Sequence, residues 1–84
     1  MHYVYVLRSK LDLGFYIGCT KDLKNRVEAH NSGKVESTQK RLPFELVYYE
    51  ACVNDKDAFR REKYLKTTYG RRYLKNRLRA YFTG

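Results

Sequence analysis

The chain has 84 residues, and a chain this short hides only about 60 to 65% of its unfolded surface on folding. We therefore expect one domain spanning residues 1–84, which excludes a multidomain assembly. With 43% hydrophobic residues, 15% aromatic residues and one proline, the composition also excludes a disordered chain. The 18 Lys and Arg outnumber the 9 Asp and Glu, giving a net charge of +9. This excess indicates a polyanionic partner, with nucleic acid ahead of an acidic membrane face.

The sequence shows no segment that would place the protein in or across a membrane. No apolar run approaches the ~20 residues that a membrane-spanning helix needs. The N-terminus has no basic region followed by the long apolar stretch of a signal peptide. We therefore expect a cytoplasmic protein without a membrane partner.

Three strands are predicted from runs of β-branched and aromatic residues. Residues 3–8 and 15–19 form the first two, and the short connection ending in Gly14 predicts that they pair as an antiparallel hairpin. Gly18 within the second strand indicates a bulge or a close approach of another group to the backbone. Residues 46–52 form the third strand.

Three helices are predicted between and after these strands. The first spans residues 21–31, with Thr20 as its N-cap; the second spans residues 56–69 and ends at Gly70 as a C-cap; the third spans residues 71–82. The order ββαβαα predicts an α+β domain in which helices flank a small three-stranded antiparallel or mixed sheet. The long polar loop at residues 32–45 is of the kind that often carries function.

Glu62 is unexpected on its helix, because it falls on the same stripe as Ala58 and Leu65. A carboxylate on a core-facing stripe must be paired or coordinated, since an unpaired buried charge costs several kcal/mol. One interpretation is an ion pair with a nearby arginine: Arg26, Arg60 or Arg61. The other is that Glu62 binds a hard cation such as Mg²⁺, which is typically held by one carboxylate with waters and phosphate oxygens.

Tyr5 and Tyr16 lie on neighbouring strands and are candidates for proton transfer. A phenol becomes a usable acid or base when nearby cations lower its pKa. Three cations follow in the sequence: Lys21, Lys24 and Arg26. Arg26 and His30 share one helix face, where arginine offers paired donors to a phosphate and histidine a proton. The alternative is structural: packed tyrosines, a solvated arginine and a half-buried histidine at the edge of the core.

Basic residues elsewhere would attract a nucleic-acid backbone without reading its sequence. The alternative interpretation is an ordinary solvated surface, because a run of charge alone does not indicate an enzyme. The candidate backbone-binding residues are Lys21, Lys24, Lys34, Lys40, Arg41, Arg71, Arg72, Lys75 and Arg79.

Together these residues resemble the GIY-YIG nuclease superfamily, and specifically its small stand-alone bacterial members. The two signature blocks match as YVY at residues 3–5 and YIG at residues 16–18, with ten residues between them. Arg26 and His30 match the helix motif of the family, and Glu62 matches its catalytic carboxylate. The first block departs from the pattern in its first two residues and keeps the functional tyrosine that comes third.

The resemblance implies a metal-dependent hydrolysis of phosphodiester bonds, with one Mg²⁺ or Mn²⁺ ion held by Glu62. Arg26 would bind the scissile phosphate, and Tyr5 would deprotonate the attacking water with Tyr16 and His30 as partners or alternatives. Two further residues would support the site without reacting: Gly18, and Asn76 as the nearest match to a late asparagine of the family.

We expect an endonuclease acting on DNA in preference to RNA, structure-specific or weakly sequence-specific, with a role in DNA repair or recombination. Nucleic-acid shape or a partner protein would select the target, and the oligomeric state stays open. The alternative is a non-catalytic nucleic-acid-binding module on the same fold. Retention of all five candidate catalytic residues favours the enzyme, because a binding module has no use for a carboxylate facing the core.

Overall fold

The structure, a computed structural model, describes all of residues 1–84 and is built on a three-stranded sheet. The strands are β1 (His2–Ser9), β2 (Phe15–Thr20) and β3 (Phe44–Cys52). Their order is β2-β1-β3, and both pairings are antiparallel. The predicted α+β class with a three-stranded sheet is confirmed, and β3 begins two residues earlier than predicted.

Four helices complete the fold: α1 (Leu23–Asn31), α2 (Asp55–Leu65), α3 (Thr68–Arg77) and α4 (Arg79–Thr83). None of them combines the length and the apolar character that a bilayer crossing requires. The predicted last helix is divided at Leu78, which caps the C-terminus of α3 and precedes α4.

The start of α1 differs from the prediction, because the N-cap is Asp22 and not Thr20. The Asp22 carboxylate accepts a hydrogen bond from the backbone N–H of Asn25 at 3.3 Å. Thr20 still belongs to β2, and its hydroxyl accepts from the backbone N–H of Asp22 at 3.1 Å. Thr20 therefore shapes the turn into the helix, and the aspartate satisfies one free N–H group of the first helical turn, that of Asn25.

Gly70 was predicted to end a helix, and this prediction is wrong. Gly70 is buried in the first turn of α3, where its N–H donates to the hydroxyl of the N-cap Thr67 at 3.1 Å. A Cβ atom at this position would collide with the backbone of Tyr64 and Leu65. The glycine is needed because α2 and α3 approach each other at backbone distance, a contact that a helix-ending signal in the sequence does not distinguish.

The two faces of the sheet carry different cores. On the first face, side chains of β1 and β2 pack against α2 and α3; the buried members are Val4, Val6, Ile17, Ala58, Leu65 and Leu74. On the second face, Tyr5, Leu7 and Phe44 pack against residues of α1. The alternation of strand side chains thus places Tyr5 beneath α1.

Candidate active site

The hydroxyl of Tyr5 is the centre of the candidate site. Tyr5 is 1% exposed, and its Oη lies 2.9 Å from Nε2 of His30. The Nε–H of Arg26 donates to the same oxygen at 3.3 Å. The arginine and histidine that the sequence placed on one face of α1 therefore meet on a single phenol oxygen.

Gly18 creates the space for that phenol. Tyr5 and Gly18 are directly opposite each other in the β1–β2 pairing. A Cβ atom on Gly18 would lie 2.5 Å from the Tyr5 hydroxyl oxygen, so only glycine lets the ring pass over the edge strand. Of the two expectations at Gly18, the close approach is the one observed, since β1 and β2 pair without a register shift.

The pKa of Tyr5 moves in the direction opposite to the expectation. Burial is the largest single influence and raises it, the hydrogen bond and positive charge of Arg26 lower it, and Tyr16 and the negative charge of Glu62 also act to raise it. The net pKa lies above the usual tyrosine value. The phenol is therefore protonated at neutral pH.

His30 is fully buried, at 0% exposure, and not half-buried as the structural alternative proposed. Burial lowers its pKa, and the positive charge of Arg26 lowers it further. The ring is consequently neutral near pH 7, with one nitrogen donating and the other accepting. Its Nδ1 lies 2.8 Å from the hydroxyl oxygen of Thr38.

Two residues that hold this arrangement were missed by the sequence analysis. Thr38 is 0% exposed and comes from the loop between α1 and β3. The side-chain amide of Asn31 accepts from the backbone N–H of Phe44 at 2.7 Å and donates to its carbonyl at 3.0 Å. Asn31 follows Val27 by four residues and so continues the Leu23–Val27 stripe of α1, a spacing that could have revealed it. For Thr38 the only available signal was the length of the polar loop.

Tyr16 and Arg26 border the Tyr5–His30 pair and are both half-buried. The Tyr16 ring packs edge-on against the His30 ring, with centroids 4.9 Å apart. Arg26 belongs to none of the four ion pairs of the protein. Its charge is therefore not neutralised by a carboxylate and remains available to an anionic ligand.

Glu62 approaches this group from the other side of the edge strand. Glu62 lies on α2, close to Cys19 of β2. Burial, and next the Glu62 carboxylate, raise the pKa of the Cys19 thiol to about 12. The same carboxylate acts on Tyr5, as described above. The structure thus joins Tyr5, Tyr16, Arg26 and His30 by direct contacts, whereas Glu62 is linked to them through its charge at Tyr5.

The ion-pair partner of Glu62 is not one of the predicted arginines. Its Oε2 accepts from Nζ of Lys66, one helical turn away, at 2.9 Å. The predicted arginines are paired elsewhere or unpaired, Arg60 with Asp57 and Arg61 with Glu50. The lysine was overlooked because the stripe argument considered the core side of α2 and not the next turn on its surface.

The chemistry of the donor set decides whether Glu62 suits a metal ion. No group of three or more His, Cys, Asp or Glu side chains could enclose one. Glu62 is 22% exposed and borders a groove with Phe59, Lys63 and Lys66. Mg²⁺ and Mn²⁺ can be held by one carboxylate if waters and phosphate oxygens complete the shell, so the residue fits such an ion.

Asn76 is exposed on α3, a helix that packs on the sheet face opposite Tyr5. Its side chain makes no hydrogen bond to any candidate catalytic residue, so the structure does not join it to the site.

The predicted backbone-binding residues fall on both sides of the sheet. Four are exposed on or near α1 and its following loop: Lys21, Lys24, Lys34 and Lys40. Four are exposed on the last two helices: Arg71, Arg72, Lys75 and Arg79. Arg41 differs, because its guanidinium binds Asp12 at 2.7 Å and the carbonyl of Phe15 at 3.4 Å, which ties the loop to the β1–β2 hairpin.

Comparison with known proteins supports the resemblance found in the sequence. The family described as the GIY-YIG catalytic domain matches residues 1–79. A UPF0213 protein of Clostridium perfringens is 43% identical over 67 residues, which cover 79% of this chain and 71% of that protein. A UPF0213 protein of Staphylococcus haemolyticus is 39% identical over 75 residues, 88% of this chain and 90% of that protein.

A solved structure is similar over most of the chain. The solution NMR structure of a UPF0213 protein from Bacillus halodurans has a TM-score of 0.54 and 37% sequence identity, and the match covers 87% of this chain and 80% of that one. The predicted resemblance to small bacterial proteins of the GIY-YIG superfamily is confirmed.

Proposed function

Because the chain belongs to the GIY-YIG catalytic domain family, we propose that residues 1–84 form one nuclease domain that hydrolyses phosphodiester bonds in DNA with one Mg²⁺ or Mn²⁺ ion. The observation that carries the proposal is the hydroxyl of Tyr5, which binds His30 at 2.9 Å and Arg26 at 3.3 Å. An unpaired arginine and a neutral histidine meet at one phenol oxygen. This arrangement suits proton transfer beside an anion better than it suits core packing.

Glu62 is the residue that would hold the metal ion. When bound, the ion would supply positive charge to a phosphate oxygen and to the leaving 3′ oxygen. Glu62 is suited to this role because its carboxylate is partly exposed and borders an open groove. Lys66 would have to release the carboxylate, which costs little for a surface ion pair one helical turn apart.

Arg26 would bind the scissile phosphate. Its guanidinium is free of any carboxylate and lies beside the Tyr5 oxygen, so it can donate to phosphate oxygens while remaining near the proton-transfer group. Such donors stabilise the charge that develops in the transition state, and each is typically worth about 10²–10³ in rate.

Tyr5 would take the proton of the attacking water. Because its own pKa is raised, the phenol can accept that proton only as it gives up its own, and Nε2 of His30 is the neighbouring acceptor. Tyr16 is the alternative proton acceptor, since it is more exposed than Tyr5 and packs against the same histidine.

The basic residues would hold the nucleic acid on either side of the β2 edge. Contacts to phosphates position a duplex without reading its sequence, so we propose cleavage that depends on DNA structure or only weakly on sequence, with DNA preferred over RNA. A role in repair or recombination in the bacterial cytoplasm, with a partner protein that adds selectivity, fits such an enzyme.

One observation favours a second candidate, a nucleic-acid-binding module without cleavage activity. In the free protein the Glu62 carboxylate is already paired with Lys66. If that pair persisted on DNA, Glu62 would hold no ion, and the basic surface alone would account for function.

The test compares Glu62→Gln with Glu28→Gln, an exposed carboxylate on α1 that forms no side-chain hydrogen bond. Supercoiled plasmid and branched, nicked and linear duplexes are incubated with Mg²⁺, Mn²⁺ or EDTA, and nicked products are measured. We expect the parent and Glu28→Gln to cleave at equal rates only with metal, and Glu62→Gln to be inactive. DNA affinity in EDTA should be unchanged or higher in Glu62→Gln, because a negative charge has been removed.

Equal cleavage by Glu62→Gln and the parent would overturn the catalytic assignment. A parent that binds DNA and never cleaves it, in any metal or on any substrate, would establish the binding module instead.

A further inference from the structure

A continuous chain of hydrogen bonds runs from Arg26 into the loop after α1. Arg26 donates to Tyr5, Tyr5 meets Nε2 of His30, and Nδ1 of His30 meets the hydroxyl of Thr38 at 2.8 Å. The Thr38 hydroxyl oxygen also lies 3.3 Å from the carbonyl oxygen of Val35. The residues joined by these hydrogen bonds are all buried or half-buried.

The last link fixes the direction of the chain. A carbonyl oxygen can only accept, so the contact with Val35 uses the single hydroxyl proton of Thr38. The Thr38 oxygen must then accept from His30, which places the ring proton on Nδ1. Nε2 is left without a proton and accepts from the Tyr5 hydroxyl.

The reverse direction leaves a buried group unsatisfied. If Thr38 donated to Nδ1, the proton of His30 would lie on Nε2 and point at Tyr5. The Tyr5 oxygen would then receive donors from both His30 and Arg26, and its own proton would have no acceptor on either partner although the residue is 1% exposed. Buried polar hydrogens without a partner are costly, which favours the first direction.

We propose that Thr38 is a positioning residue that sets the tautomer of His30 and so makes Nε2 the proton acceptor for Tyr5. This inference rests on the proposed nuclease function for its catalytic consequence. As the O–H bond of the attacking water breaks, its proton passes to the Tyr5 oxygen, and the original Tyr5 proton passes to Nε2. The water oxygen keeps the electron pair that forms the bond to phosphorus, and His30 becomes a cation still held by Thr38 through Nδ1–H.

The direct test is nitrogen-15 NMR of the histidine rings, at a pH near 7.5 where His30 is neutral. The protein has two histidines, and a His2→Gln variant assigns the signals. We expect His30 in the Nδ1–H form, whereas free neutral imidazole side chains favour Nε2–H. An Nε2–H form in the parent protein would overturn the inference without reference to any activity.

Two variants separate positioning from general loss of structure. Thr38→Ser keeps the hydroxyl and should retain both the Nδ1–H form and most of the cleavage rate. Thr38→Val has nearly the same shape but no acceptor, so we expect the Nε2–H form to appear and kcat to fall about tenfold or more, as expected for a weakened proton-transfer step. The Kd for DNA in EDTA should not change, because Thr38 is buried away from the substrate.

The outcomes distinguish this inference from the proposed function. A parent that cleaves DNA, together with a Thr38→Val variant that keeps the Nδ1–H form, overturns the role of Thr38 and leaves the nuclease intact. A parent that never cleaves overturns the nuclease, and the NMR spectra still decide whether Thr38 orients His30. If Thr38→Val fails to fold, the parent spectrum and the Thr38→Ser rate decide the question.

Discussion

Two arginine–tyrosine clusters lie on opposite faces of the same sheet, and only one of them contains a carboxylate. The Tyr5 cluster lies under α1 and consists of Tyr5, Arg26, His30 and Thr38. The Glu50 cluster joins β3 to α2 and α3 and consists of Tyr48, Glu50, Arg61 and Tyr73.

In the Glu50 cluster the arginine is neutralised. Arg61 donates to both carboxylate oxygens of Glu50, at 2.9 and 3.0 Å, and Tyr48 donates to the same carboxylate at 2.9 Å. Burial acts to raise the pKa of Glu50, but the hydrogen bonds from Arg61 and Tyr48, together with the positive charges of Arg61 and Arg77, outweigh it and the net pKa is lowered. The donors of Arg61 are used inside the protein, so this cluster links secondary-structure elements.

In the Tyr5 cluster the arginine has a phenol and no carboxylate as its partner. Burial raises the pKa of Tyr5 and lowers that of His30, so both neighbours of Arg26 are neutral at pH 7. The positive charge is therefore left for a ligand. Similar residue types thus give a structural link where a carboxylate is present and a candidate reaction site where it is not.

The largest contrast is expected between Arg26→Ala and Arg61→Ala. Removing Arg26 should lower kcat about 10²–10³-fold, the usual cost of one transition-state donor, with little effect on unfolding. Removing Arg61 leaves Glu50 half-buried and unpaired, which should reduce the free energy of unfolding by about 2 kcal/mol while the folded protein keeps its kcat. Plasmid nicking measures the first effect and urea denaturation the second. An Arg26→Ala protein that cleaves as fast as the parent would show that Arg26 has no catalytic role.

The next contrast is between the two candidate proton acceptors. Tyr5→Phe should lower kcat about 10²-fold, a typical contribution of a general base, because His30 loses the phenol that connects it to the substrate. Tyr16→Phe should have a smaller effect, since its hydroxyl is not part of the chain from Arg26 to Thr38. Single-turnover cleavage measures both rates. A larger loss in Tyr16→Phe than in Tyr5→Phe would make Tyr16 the base.

A smaller effect is expected from Gly18→Ala, which adds a methyl group against the Tyr5 hydroxyl. The contact of 2.5 Å cannot be accommodated without moving the ring, so the variant should lose about 1–3 kcal/mol of stability, as in other overpacked sites. Thermal unfolding checks this value. Tyr5→Phe in the same background removes the colliding oxygen and should restore part of the loss, whereas simple additivity of the two losses would contradict the contact.

The smallest effect concerns acid stability. Because the pKa of Glu50 is lower in the folded than in the unfolded protein, its contribution is complete above the unfolded pKa near 4.5 and is lost as the pH falls through the folded value. The parent should therefore lose more Tm than Glu50→Gln between pH 6 and the acid range. Identical pH dependences would show that the Arg61–Glu50 link adds no stability.

Local patterns predicted much of this structure. Runs of β-branched and aromatic residues predicted the hairpin that places Tyr5 and Tyr16 on neighbouring strands, and the four-residue spacing of Arg26 and His30 placed them on one side of α1. Glu62 was recognised because a carboxylate on an apolar stripe is locally anomalous.

Contacts between distant or irregular segments could not be predicted. Gly70 resembles a helix end in sequence, and only the packing of α2 against α3 shows why no side chain fits there. Thr38 lies in a loop without periodicity, so its bond to His30 follows from the path of the loop. The direction of the Tyr5 pKa shift depended on burial, which the charges of nearby residues in the sequence did not indicate.

The side-chain amide of Asn31 pairs with the backbone of Phe44 as a residue of a neighbouring strand would, because it both donates and accepts one hydrogen bond. It follows His30 directly in the sequence, and Phe44 begins β3, which pairs with the strand that carries Tyr5. Any sliding of α1 along the sheet would break both of these bonds together. These two bonds therefore hold the position of His30 relative to Tyr5, although the two residues belong to different secondary-structure elements.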